Sequence, residues 1–417
     1  MRRTSITLTL ATLLVGGLAC GREPRSAEAT PVVGSLGALE PLATPAPPGS
    51  AEPNLTVARG RAYLSWIEPT PDSGHALRFA TLEGRGWSAP RTIARGKRWF
   101  VNWADFPSLV VLPSGRLAAH WLERSSEGKY SYDVRVATSR DGGATWSRPV
   151  TPHRDASASE HGFVAMWGQG DTLSLVWLDG RKYARIPIQE EAYSKEMMLL
   201  STTILPDGSR GPERRVDERT CDCCQTSVAQ TARGPLVAYR DRTTDEIRDI
   251  HVSRFERSYW TPPRRVHADQ WKVDYCPVNG PSVAARGERA AVAWFTGARD
   301  TARVMIAFST DAGDTFGRPI RVDGGTPAGR VGAVMLSDGA VLVSWVERTG
   351  GERAEVRARR VSPDGTLDAP LTIATSSAAR ASGFPRMAAL GDTIVLAWTE
   401  PGQKSVVRSA RAVVPRR

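Results

Sequence analysis

Several scarcities bound this 417-residue chain before any motif does. No apolar stripe of helical period persists over three turns, so a helix bundle is excluded. Beyond the first twenty residues no apolar run reaches the roughly 18 residues that a membrane span requires. Lysine is scarce, with 6 residues among 55 basic ones, and the formal charge of +11 is therefore carried by arginine. Those arginines are scattered among Asp and Glu rather than gathered on one face with interleaved aromatics, which argues against a nucleic-acid partner. Attraction to an acidic surface or a glycan stays open. Cysteine is limited to five residues.

What remains is strand-like. Short apolar runs alternate with Gly, Asp and Pro turns, and one aromatic recurs at the end of such a run: Trp66, Trp121, Trp177, Tyr239, Trp294, Trp345 and Trp398. Their separations are 55, 56, 62, 55, 51 and 53 residues, the length of one four-stranded propeller blade. A proline opens the outer strand of six units (Pro90, Pro149, Pro212, Pro263, Pro319, Pro370), where an edge tolerates a missing donor. The last unit ends one strand short, and Glu40-Pro41-Leu42-Ala43-Thr44 has the register to supply it. The expectation is an all-β propeller over 39–417, with seven four-stranded antiparallel blades closed by an N-terminal strand. Six blades with one unit outside the ring is the alternative.

The N-terminus reads differently. Met1-Arg2-Arg3 precedes an apolar stretch, and Gly16-Gly17-Leu18-Ala19-Cys20 resembles a bacterial lipobox. This implies a signal peptide over 1–20, a lipid on Cys20, and a Pro/Ala/Ser-rich tether over 21–38. The partner would be the cell-envelope membrane, the outer one in a Gram-negative host, and the protein a monomer. An ordinary secretory signal is the other reading.

Two octapeptides share the pattern Ser-x-Asp-x-Gly-x-Thr-aromatic: Ser139, Asp141, Gly143, Thr145, Trp146 and Ser309, Asp311, Gly313, Thr315, Phe316. The Asp accepts hydrogen bonds from the turn, the Gly supplies positive φ, and the aromatic wedges between sheets. The pattern resembles the Asp box, or BNR repeat, of the sialidase-like propellers. That resemblance implies architecture more than activity, because the turn is a clasp in enzymes and non-enzymes alike. Sialidases are six-bladed. They use three arginines on a carboxylate, a Tyr activated by Glu, and an Asp acid/base. Arg181, Arg242 and Arg299, with Tyr275 beside Asp274, are candidates for ligand binding, but no spacing selects them. Ala184-Arg185-Ile186-Pro187 lacks the aromatic that begins the sialidase Arg-Ile-Pro motif.

The face opposite the octapeptide turns carries two irregularities. A carboxylate stands two residues after six of the seven marker aromatics (Glu68, Glu123, Asp179, Asp241, Glu347, Glu400), with Thr296 the exception. It either lines a polar mouth or caps strand-end donors. Cys221-Asp222-Cys223-Cys224 and Cys276 fall in equivalent loops before adjacent blades, so the four thiols are expected to converge. They would form disulfides, a Cu(I) or Zn(II) site, or a redox pair. His161 and His251 are candidate auxiliary ligands. The function expected is an exported, lipid-anchored propeller binding a glycan or a metal-dependent ligand on this face. The alternative is a sialidase-type exo-glycosidase.

Overall fold

The computed structural model describes residues 36–185 and 196–415, together with Gly34. Cys20, the signal and most of the tether lie outside the described residues, as do Ile186 and Pro187.

Seven antiparallel sheets form a ring. Blade 1 is built from Ala51–Ala58, Arg61–Pro69, His75–Glu83 and Arg91–Gly96, and blade 3 from His161–Gln169, Thr172–Asp179, Met197–Ile204 and Arg214–Thr220. Blade 2 has strands Ser108–Val111, Leu117–Arg124 and Tyr132–Ser139, with Val150 bridging to Val136 in place of a full outer strand. Blades 4, 5 and 6 begin with Ser227–Thr231, Ser282–Arg286 and Pro327–Met335. Blade 7 runs Arg386–Leu390, Thr393–Glu400 and Val406–Val413, and its outer strand is Glu40–Leu42, paired Glu40 to Arg411 and Leu42 to Ser409. The expected closure by the N-terminal segment is therefore present, and the count is seven.

The period follows from packing between blades. Each neighbouring pair of blades shares an apolar cluster, blades 7 and 1 sharing two, and each marker aromatic sits in a cluster between its own blade and the preceding one. Trp177 packs with Tyr132 and Val134, Trp345 with Val304 and Ile306, and Trp66 with Ala397 and Val407. Burying an indole strands its N–H unless an acceptor follows it in. Residues i and i+2 share a strand face, which explains the recurring carboxylate. Trp66 donates to Glu68 at 2.9 Å, Trp177 to Asp179 at 2.7 Å and Trp345 to Glu347 at 2.6 Å. Glu347 also accepts the Thr326 backbone N–H at 2.5 Å, so the carboxylate serves the adjoining loop too. Blade 5, which has Thr296 at this position, recruits Asp269 from a loop, and Trp294 donates to it at 2.6 Å.

The two octapeptide turns are closed by their own side chains. Gly143 N and Gly313 N each donate to the preceding Ser hydroxyl at 2.8 Å, and Thr145 N and Thr315 N to Asp141 and Asp311 at 2.9 Å. Gly143 sits at φ +88, and a Cβ there would meet the Phe79 ring of blade 1 at 2.4 Å. Trp146 meets the same ring edge-on at 6.2 Å. Burial works against ionisation of Asp311, but hydrogen bonds from Thr315 and Ser309 outweigh it and hold the carboxyl at about 2. Its contribution is therefore full above the unfolded value of about 3.9 and disappears as pH falls through about 2. Asp311→Ala should lower urea stability at pH 7 by about 1–2 kcal/mol, with the difference from the parent vanishing toward pH 2.

Candidate functional site

Strand direction alternates along each blade. Turns after the first and third strands therefore share one face, and connections after the second and fourth share the other. The octapeptide turns follow third strands, whereas the inter-blade connections follow fourth strands. Those connections meet around a mouth cavity of about 320 Å³. Trp103 and Asp105 come from the blade 1–2 connection, Glu160 from 2–3, Cys223 from 3–4, Cys276 from 4–5 and Arg380 from 6–7.

The cysteine loop is tied across the centre. Gln225 donates to Ala104 O at 2.8 Å and accepts from Gly280 N at 3.0 Å. A Cβ on Gly280 would lie 2.0 Å from Gln225 O, so glycine is required for that approach. Val278 holds φ +48, strained for a β-branched residue, just after Cys276-Pro277. Together these contacts bring the loops of blades 4 and 5 side by side. Cys221 Sγ lies 3.8 Å from Cys223 Sγ and 3.3 Å from Cys224 Sγ, all three thiols being buried. Cys276, which is exposed, reaches the same place, with its thiol, the Cys223 thiol and an Asp222 oxygen all within 4.8 Å of one another. Cys223 thus joins the buried thiols to Cys276, and the two loops place their thiols close together.

Two guanidinium groups lean on this cluster. Arg248 Nη1 is 3.4 Å from both Cys221 Sγ and Asp222 Oδ1, and Arg240 spans Asn279 O and Arg248 O from below. Burial pushes the Cys221 thiol up to about 11 and raises Cys223 as well. At Cys224 burial is outweighed by hydrogen bonds from Cys221 and Cys223 and by the Arg240 charge, so this thiol is the one held low.

A second group of the cavity has no thiol in it. The Tyr132 hydroxyl lies 2.6 Å from Glu160 Oε1 and 3.0 Å from Asp105 Oδ2. Burial pushes Asp105 up to about 7, against the hydrogen bond from Phe163 N, and raises Tyr132 in the same direction. These residues, with Trp103 and Arg380, went unnoticed in the sequence. Asn102-Trp103-Ala104-Asp105 occupies the blade 1–2 connection, the same kind of loop as the cysteine loop, and reading every such connection would have reached it.

The other sequence candidates lie elsewhere. Arg181 is held by Asp179 at 2.7 Å and Glu213 at 2.9 Å, Arg242 pairs with Glu246 at 2.8 Å, and Arg299 and Tyr275 are exposed. None of the four lines the mouth cavity, whose guanidinium is Arg380. His161 is no auxiliary to the thiols: it stacks on His153 at 3.8 Å and pairs with Asp155 at 3.2 Å. His251 pairs with Asp241 at 3.2 Å.

Fold and site together define a seven-bladed β-propeller with a thiol-walled mouth. No protein-family profile matches the chain, and no curated protein matches it by sequence. Solved structures do. The polysaccharide lyase Uly1 is similar with a TM-score of 0.51 at 9% identity, over 87% of this chain and 90% of the lyase. The α-L-arabinanase of Penicillium chrysogenum has a TM-score of 0.47 at 13% identity, covering 92% of this chain and 98% of its own. The NanB sialidase of Streptococcus pneumoniae has a TM-score of 0.47 at 11% identity, over 85% and 83% of the two chains. At these identities the likeness is one of fold.

Proposed function

We propose that this chain is an exported propeller, lipid-anchored through Cys20, whose mouth binds a carbohydrate against a wall made by a thiolate-bound metal ion, Cu(I) or Zn(II). The observation that carries this reading is the cluster of Cys221, Cys223 and Cys224, joined through Cys223 to Cys276 and Asp222 at the wall of the mouth cavity. Metal–sulfur bonds of about 2.3 Å place thiolates about 3.8 Å apart around a tetrahedral ion, whereas a disulfide needs about 2.05 Å. The 3.8 Å between Cys221 and Cys223 matches the first case, and neither it nor the 3.3 Å to Cys224 is a disulfide distance. Soft thiolate donors favour Cu(I) and Zn(II) over hard cations. Trp103 and Tyr130 offer aromatic surface to a sugar ring, and Asn102, Asp222, Glu160 and Arg380 offer hydrogen bonds around it.

The raised thiols set a pH signature. Burial holds the Cys221 and Cys223 thiols up, so loading must expel their protons, and apparent affinity rises with pH. Protein purified without oxygen should bind one Zn(II) or Cu(I), release protons on loading, and retain four titratable thiols after the metal is chelated. Two disulfides and no metal would reduce the cluster to a staple.

A second reading, glycan hydrolysis, is favoured by one contact, the 2.6 Å approach of the Tyr132 hydroxyl to Glu160 with Asp105 alongside. The sialidase version would also need three arginines on one carboxylate, and the cavity is lined by Arg380 without Arg181, Arg242 or Arg299. Release of sialic acid from a sialoside by the purified protein would decide for it.

A further inference from the structure

Beneath the mouth, the inner strands enclose a second cavity of about 300 Å³ along the ring axis. Trp103 lines the mouth and Phe106 and Phe384 line this channel; Phe384 stacks on Trp103 at 5.8 Å and meets Phe106 at a tilt at 5.7 Å. The seven inner strands contribute one position each at the same register, the one paired with the residue just before the marker aromatic. Those positions are Asn54, Ser108, Ala165, Ser227, Ser282, Gly332 and Arg386. Six are small and uncharged. The seventh is an arginine.

Arg386, half-buried at the channel wall, is out of keeping with the buried arginines. Arg240 and Arg330 give their donors to backbone carbonyls, and Arg254 bonds Glu256 and Asp314. Arg386 Nε and Nη2 are closed off from solvent with no hydrogen-bond partner. Its guanidinium lies 3.7 Å above the Phe106 ring, a partial compensation. Burial alone, with no opposing charge, pushes it down to about 9. No carboxylate lines the channel among the described residues. Closing two guanidinium nitrogens off from water without an anion beside them is costly, and an anion in the channel would offset that cost.

The hydroxyls lining the same channel have the matching polarity. Ser227 Oγ accepts Val283 N at 3.1 Å and Ser282 Oγ accepts Ala333 N at 3.0 Å, so each hydroxyl keeps its own proton to donate. Asn54 adds an amide from blade 1. Donors thus surround the axis from several blades, an arrangement for an acceptor bearing oxygens in several directions rather than a planar carboxylate.

We propose that the axial channel is a binding site for a small tetrahedral oxyanion, phosphate or sulfate, held by Arg386 with Ser227, Ser282 and Asn54. Titration calorimetry of the whole protein with sodium phosphate and with sodium sulfate, at ionic strength fixed by chloride, should show saturable binding of one ion. Arg386→Met should weaken that binding by at least about tenfold, as expected for losing a charge-assisted pair of hydrogen bonds. In chloride alone the same variant should melt no lower than the parent, because it removes two closed-off donors that have no partner. If Arg386→Met does not fold, the Ser227→Ala/Ser282→Ala double variant carries the test through weakened oxyanion binding. The proposal is overturned if neither phosphate nor sulfate binds saturably, or if Arg386→Met binds as the parent does. Binding of acetate in place of both would overturn the tetrahedral assignment.

Discussion

Cys221→Ser should abolish stoichiometric Zn(II) or Cu(I) binding while leaving the propeller folded. Cys221 lies 3.8 Å from Cys223 and 3.3 Å from Cys224, and without it Cys223, Cys224 and Cys276 are left with one soft donor too few for a four-thiolate site. Serine offers a hard, weakly acidic oxygen where a soft thiolate is needed, and the affinity loss should be on the order of 100-fold or more. The exposed Cys276 can be replaced at smaller cost, because Asp222 shares its position beside Cys223. Metal content by mass spectrometry and a competition titration against a chromophoric chelator measure both effects. Equal metal content in Cys221→Ser and the parent would remove the thiol site. Circular dichroism separates loss of the site from loss of the fold, since Cys221 lies in a connection rather than within a blade.

Removing the closing strand should have the largest effect on stability. A chain that starts at residue 45 leaves Val406–Val413 as an unpaired edge and uncovers the pocket of Leu42, which packs with Ala62 and Val395. Exposed edges recruit other chains, so this truncation should aggregate, visible as early elution in size-exclusion chromatography. The milder Leu42→Ala should keep the ring and cost about 2–4 kcal/mol in denaturant unfolding. A truncated chain that melts like the parent would mean that the ring does not depend on its N-terminal strand.

The ring was legible because its cause is local and repeated. One aromatic per blade must enter each interface, and its spacing can be counted without coordinates; the closing strand followed from a unit left one strand short. The carboxylates were visible, but spacing alone does not assign Glu68, Asp179 and Glu347 to the buried indole N–H groups of Trp66, Trp177 and Trp345. Asp269 could not be found by spacing, because it reaches Trp294 from 25 residues upstream through a loop. The thiol convergence was legible for the reason that the ring was, since equivalent loops of adjacent blades must meet. Tyr132, Glu160 and Asp105 were not, since their meeting depends on where three loops of unequal length turn. Arg386 was hidden for another reason. In sequence it is one of many arginines, and only strand register shows it alone among six neutral residues.

Closure by an N-terminal strand also brings the two ends of the propeller together. Gly37 N donates to Val413 O at 2.8 Å, so the first and last described segments leave from the same outer edge of blade 7. The folded chain is thus close to a covalent circle broken at one seam. Joining that seam with a short linker and opening the chain instead at an exposed hairpin tip, such as Arg59-Gly60 or Gly287-Glu288, would move the ends to another blade with every strand pair kept. In such a permutant the mouth and the axial channel keep their walls, while a membrane tether could be attached at any blade chosen.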